Sequence, residues 1–329
     1  MKKIRNFKIK TMRTVLNFSK AACICILLLT NVKTAQAQYD AMFTQYMFNE
    51  MFINPAYAGS KEAMAVTALH RQQWVNFPGR PVTTTFSLHG PLQNNKMGLG
   101  LSILNEKIGV LNRNLVYLSY SYRVKLGAGH LAFGLMGGIH SQLSKLADVK
   151  TVDAGDVQFT QNTPNVITPN FGGGIYYSTK KFYTGISVPR LVDDNVMFNS
   201  DGSGSVVKQI SMNPSAFHYY FTIGRMFEVN EDFKIKGQAM VKAVPNAPLQ
   251  YDLNINTLIK NFIWVGASYR SAADVSAILG CQINPQFIFS YSYDFPLTKI
   301  QKYSQGSHEI ALGYVFAYKG KKIASPRYF

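Results

Sequence analysis

From Glu62 onward the chain alternates apolar and polar residues with a period of two, as strands with one apolar face do. Leu115–Lys125 sets Val116, Leu118, Tyr120, Tyr122 and Val124 against Ser119, Ser121, Arg123 and Lys125. Phe233, Ile235, Ala239 and Val241 oppose Lys234, Lys236, Gln238 and Lys242, and Phe287, Phe289, Tyr291, Tyr293 and Phe295 oppose Ser290, Ser292 and Asp294. In His308–Tyr318 the residues Ile310, Leu312, Tyr314, Phe316 and Tyr318 share one face. A soluble β-sandwich alternates in the same way, so length has to separate the two. Many segments run about nine residues or more, the reach of a tilted transmembrane strand. The pattern predicts about fourteen strands, near 62–72, 81–90, 97–105, 114–126, 129–144, 170–179, 181–190, 215–227, 232–243, 249–258, 261–270, 273–283, 286–295 and 306–317. Connections after even-numbered strands are mostly short, such as Leu126–Gly129. Several after odd-numbered ones are long, such as Lys145–Pro169 and Leu191–Pro214. That is the expected rhythm of periplasmic turns and outer loops, so the fold expectation is an all-β, transmembrane antiparallel β-barrel.

Upstream of the first strand lies Gln45–Ser60, QYMFNEMFINPAYAGS, rich in aromatics and nearly uncharged. Pro55 removes a backbone donor and Gly59 supplies a flexible joint, so neither a long helix nor a central strand fits. This stretch is an apolar lead-in that must pack on something larger, a plug-like segment if the barrel closes around it. His70-Arg71-Gln72-Gln73-Trp74 ends the first strand with a charge, amides and a large ring. It either lines the lumen or anchors the interface with Trp74 in an aromatic belt and Arg71 inward.

The first 37 residues read as an export signal. Lys2, Lys3, Arg5, Lys8, Lys10, Arg13 and Lys20 precede the short apolar core Ala21–Thr30, and Ala35-Gln36-Ala37 offers small residues for cleavage. That leader holds eight Lys/Arg and no acid, so the formal charge of +17 becomes +9 for a chain starting at Gln38. The remaining basic residues are scattered, which argues against nucleic acid and suits contact with outer-membrane lipid. Cys23 and Cys25 lie in the leader, leaving Cys281 as a small residue on a strand, with no disulfide framework. No run of eighteen or more apolar residues appears, so helical spans are excluded. Only 16% of the chain is charged against 13% aromatic, and aromatic girdles account for most of its Tyr and Phe.

Catalytic constellations are missing. There is no GxSxG elbow, HExxH helix or phosphate loop, and Gly172-Gly173-Gly174 fits close packing in a barrel wall. His70, His89, His130, His140, His218 and His308 are dispersed. We therefore expect no enzyme activity, no metal and no cofactor.

Gln45-Tyr46-Met47-Phe48-Asn49, Asn54-Pro55-Ala56-Tyr57-Ala58-Gly59-Ser60 and His70-Arg71-Gln72-Gln73-Trp74 resemble the opening of the PorP/SprF family of Bacteroidota. The likeness continues at Gly98-Leu99-Gly100-Leu101-Ser102, Gly185-Ile186-Ser187-Val188-Pro189-Arg190 and Ser307-His308-Glu309-Ile310, in the family's order. It implies an accessory outer-membrane barrel of type IX secretion, supporting export or surface attachment of large proteins such as gliding adhesins. The implied partners are the secreted protein's C-terminal domain and envelope components of the secretion machine. The implied organisation is a signal peptide (1–37), a lead-in (38–60), a barrel (61–318) and a periplasmic tail (319–329). Candidate plug or partner residues are Tyr46, Phe48, Asn54, Pro55, Tyr57, Arg71 and Trp74, with Arg327, Tyr328 and Phe329 in the basic tail. A barrel transporter for hydrophobic small molecules, similar to the FadL class, is the alternative.

Overall fold

Strands alternating Leu, Tyr and Phe with Ser, Thr and Gly cannot bury both faces in a soluble core, and here they close on themselves. The computed structural model describes residues 41–92, 95–149, 159, 161–198, 206–214, 217–245 and 247–316. The signal-peptide reading and the tail residues Arg327, Tyr328 and Phe329 lie outside them.

The strands are β1 (Ala65–Gln72), β2 (Val82–Pro91), β3 (Met97–Ile108), β4 (Leu111–Leu126), β5 (Gly129–Ser144), β6 (Val166–Ser178), β7 (Phe182–Val188), β8 (Asp193–Phe198), β9 (Val206–Ser211), β10 (Tyr219–Glu228), β11 (Phe233–Ala243), β12 (Gln250–Ile259), β13 (Ile263–Arg270), β14 (Asp274–Gln282), β15 (Phe287–Pro296) and β16 (Ser307–Val315). All but β8 and β9 form one closed antiparallel barrel of fourteen strands in sequence order, with β1 hydrogen-bonded to β16. Closure leaves no edge strand, so the ladder can satisfy the backbone inside a bilayer. No helix among the described residues is long and apolar enough to cross a membrane.

The usual burial rule is inverted. Leu118 and Leu135 point outward at 67% and 69% exposure, while Ser121, Ser292 and Glu309 face inward at 0%. Outward apolar and inward polar is what lipid outside and a filled lumen inside require. At one end lie the start of β1, the end of β16 and connections such as 127–128 and 179–181. We term it the turn end, and the opposite end the loop end.

The fourteen predicted strands all occur, and the differences have local causes. The β3–β4 hairpin runs further than its apolar alternation, to a turn at Gly109, where φ is +56°. Polar pairs extend the ladder: Asn105 Nδ2 donates to Asn112 Oδ1 (3.1 Å) and Asn114 Oδ1 (2.7 Å), and Arg113 pairs with Glu106 on the lumen side. The rule of long connections after odd strands fails at this hairpin. β6 begins at Val166 and runs through Pro169 instead of starting after it. Leu191 N donates to Phe171 O across the side facing β7, so the odd-numbered groups, including Pro169's missing donor, point to where β7 has already ended. A proline is tolerated there. Leu191–Pro214, expected as a polar loop, instead contains the separate two-stranded sheet β8–β9, whose six-residue runs are too short to separate from loop by alternation.

Candidate functional site

The segment from Ala41 to Met64 lies against inward-facing side chains of strands around the ring. It begins in the loop-end half and descends to the start of β1. Three short turns shape it: a 3₁₀ turn at Tyr46–Phe48, helix α1 (Glu50–Ile53) and a 3₁₀ turn at Pro55–Tyr57. Asn54 caps the last of these, its Oδ1 accepting from Ala56 N at 3.0 Å, and Pro55 fills the first position, where no donor is needed.

The loop-end half is held by charge. Glu309 on β16 accepts the backbone N–H groups of Thr44 (3.0 Å) and Gln45 (2.7 Å), one on each carboxylate oxygen. Thr44 Oγ1 donates to Asp294 on β15 at 2.9 Å and accepts from Arg71 on β1 at 3.0 Å. Arg71 in turn pairs with Asp294 (2.6 Å) and Glu309 (3.0 Å), all three side chains being buried. Arg270 on β13 donates to Phe43 O at 2.9 Å while its Nε sits 3.1 Å from Asp252. The Gln45 amide is read at both ends, donating to Glu309 O at 3.1 Å and accepting from Ser290 Oγ. Removed from water, such charges hold only as a complete set.

Further toward the turn end the segment lies close against the wall, and uncharged side chains bond backbone groups across the gap. Asn54 Nδ2 donates to Ile175 O at 3.0 Å, Ser187 Oγ to Ile53 O at 2.6 Å, and Ser121 Oγ to Ala58 O at 2.6 Å. Gly59, at φ +71°, donates its N–H to His89 Nδ1 at 3.1 Å. Gly98, Gly134 and Gly174 line the wall here. A Cβ on them would run into Ala58 O, the Pro55–Ala56 peptide and the Asn54 side chain respectively, so only glycine lets the segment lie this close.

Between these regions Glu50 of α1 is buried and accepts from Tyr176 OH at 3.1 Å. Burial raises its carboxyl above the usual carboxylate range, with the Lys236 ammonium pulling the other way. Tyr176 stacks on Tyr183 (5.5 Å) and meets Tyr57 edge-on (5.6 Å). Tyr57, Met51 and Ala56 pack with Tyr176, Tyr183 and Met226 in one apolar cluster, and Phe43, Tyr46 and Ile53 pack with Leu69, Leu104 and Tyr220 in a second. The hydrophobic core of this barrel thus lies between its wall and its own N-terminal segment.

On the loop-end side of the segment is a cavity of about 1010 Å³, counted with the space at its mouth. Phe43, Tyr46 and Phe52 line it from the segment, and Arg113, Arg190 and Lys242 line it from the wall.

Of the candidates named from sequence, Tyr46, Asn54, Pro55, Tyr57 and Arg71 all meet inside the barrel, and Phe48 packs half-buried beside the second apolar cluster. Trp74 does not join them. It lies past the end of β1 at φ +54°, its ring edge-on to Phe77 at 6.3 Å and its backbone N–H donating to Ser307 Oγ. Sequence reasoning missed Thr44, Asp294 and Glu309 as partners of Arg71, and Arg270 as the residue that holds Phe43 O. The signal for Glu309 was available: it is an acid on the inward face of an otherwise apolar final strand, opposite Ile310 and Leu312.

The family model for the type IX secretion system membrane protein PorP/SprF matches residues 35–314. The chain belongs to this family. It is therefore an outer-membrane barrel, and by the general pattern of such barrels, short turns inside and longer loops outside, the turn end is the periplasmic end. No curated protein matches it. Among solved structures it is similar to the outer membrane protein Omp33 of Acinetobacter baumannii, at 7% identity and TM-score 0.46 over 78% of this chain and 98% of that one. A Pseudomonas aeruginosa FadL homologue matches at 11% identity and TM-score 0.44 over 82% and 94%. The TodX monoaromatic hydrocarbon channel matches at 12% and 0.43 over 82% and 93%.

Proposed function

We propose that this PorP/SprF barrel is a binding and anchoring module of type IX secretion, not a catalyst. It supports secretion or surface attachment of large cell-surface proteins by engaging their C-terminal domains. The observation that carries the reading is an N-terminal segment bonded into the lumen from β1, β13, β15 and β16 on one side and from β4, β6 and β7 on another. A lumen occupied in this way suits a docking platform better than an open pore. Its extracellular cavity faces the side on which a surface protein is retained.

The test is deletion of the gene, with quantitative mass spectrometry of surface and medium proteins. Loss or release of one large surface protein, with the rest of the secretome intact, is the expected result. Broad loss would make it a core machine component, and an unchanged secretome would refute the secretion role. The second reading, a transporter for hydrophobic small molecules, draws on the aromatic floor of the cavity. Uptake by the purified barrel alone distinguishes it.

A further inference from the structure

The outward face of the barrel strands carries almost no charge. Among the described residues its charged positions are Lys107, one residue from the extracellular end of β3, and Arg225 on β10. Arg225 lies outward and exposed between buried Gly224 and Met226, three residues short of the periplasmic end of the strand. At about 3.3 Å per residue and roughly 40° of tilt, that is about 8 Å from the rim. Its guanidinium carbon lies 5.2 Å from the centre of the Phe227 ring, the next outward residue toward the periplasm, so the side chain leans to the headgroup level. No hydrogen bond or ion pair from a described residue engages it.

An arginine at this depth is cheap to keep, so its presence alone signals little. Its neighbours single it out. Across one ladder it faces Phe182, whose ring lies 6.5 Å from Tyr177, and across the other it faces Gly237. A Cβ at Gly237 would meet nothing within 4 Å. The guanidinium therefore has the open niche over Gly237 on one side, Phe182 on the other and Phe227 toward the periplasm, on a face otherwise almost free of charge.

We propose that Arg225 and the Gly237 niche form a binding site for a phospholipid of the periplasmic leaflet. The guanidinium donates paired N–H bonds to the phosphate oxygens, the planar match for which arginine is suited and lysine is not. The glycerol and first acyl carbons lie in the niche over Gly237, beside Arg225 and Phe227.

The experiment is native mass spectrometry of the purified full-length barrel in mild detergent. It is titrated with phosphatidylglycerol, with a phosphate-free diacylglycerol glucoside, and with inorganic phosphate. Wild type should take up one phosphatidylglycerol tightly, and neither of the other probes. Arg225→Leu should weaken that first binding roughly five- to tenfold, with Arg225→Lys in between. Gly237→Leu keeps the charge and fills the niche, and should weaken binding as much as Arg225→Leu. Variants are compared only where the heat-modifiable folded band matches wild type. Equal affinity for phosphatidylglycerol and the glucoside in wild type would overturn the site, as would wild-type affinity in both leucine variants. Inorganic phosphate binding as tightly as the lipid would reduce it to a simple anion contact and overturn the lipid assignment.

Discussion

The two halves of the N-terminal segment are fastened by different physics. At Thr44–Gln45 long side chains reach in from β1, β15 and β16 and hold the backbone by charge. At Asn54–Gly59 the wall supplies almost nothing but glycines and small hydroxyls, and the segment is held by closeness. The charged anchor specifies what is bound and fails if one member is lost. The close anchor fails if one atom is added. A segment meant to stay in place gains from both, because no single kind of perturbation releases both ends.

Breaking the charged anchor should have the largest effect. Glu309→Ala removes the acceptor of two backbone donors and one partner of Arg71, costing about 3–5 kcal/mol of local stability. Hydrogen exchange at the Thr44 and Gln45 amides should accelerate strongly, with the strand ladder still protected. Adding an atom to the close anchor comes next. Gly134→Ala drives a methyl into the Pro55–Ala56 peptide at about 1–3 kcal/mol, seen as faster exchange at Ala56–Gly59 with Thr44 unchanged. Ser121→Ala, which deletes one bond to Ala58 O, should cost about 1 kcal/mol on the same amides.

The smallest effect is a pH slope. Because burial raises the Glu50 carboxyl, its neutral form is the one the fold prefers. The packing of α1 should therefore be firmest at low pH and loosen as pH rises through that raised value. Glu50→Gln, fixed neutral and still able to accept from Tyr176, should flatten the dependence of thermal unfolding between roughly pH 5 and 8.

Much of this was legible from residue order. Alternation located every barrel strand, because a lipid face and a lumen face impose a strict period of two. It failed where that constraint lapses: in the polar extension of the β3–β4 hairpin, at Pro169, and in the short β8–β9 sheet. The lead-in announced itself through Pro55, Gly59 and its aromatics. Its partners were hidden, since Arg71 and Glu309 are 238 residues apart and meet only because β1 closes on β16. Gly172-Gly173-Gly174 read as packing residues, but that Asn54 packs on Gly174 could not be known before closure brought the segment inside.

The most direct test is single-channel conductance of the purified barrel in planar bilayers. Wild type is compared with Glu309→Ala combined with Asn54→Ala, which loosens both anchors while leaving the wall intact. The account predicts a wild type that is closed or nearly so and a double variant that opens to a much larger conductance. A wild type that already conducts steadily, with no change in the double variant, would show that the segment does not fill the lumen in the membrane.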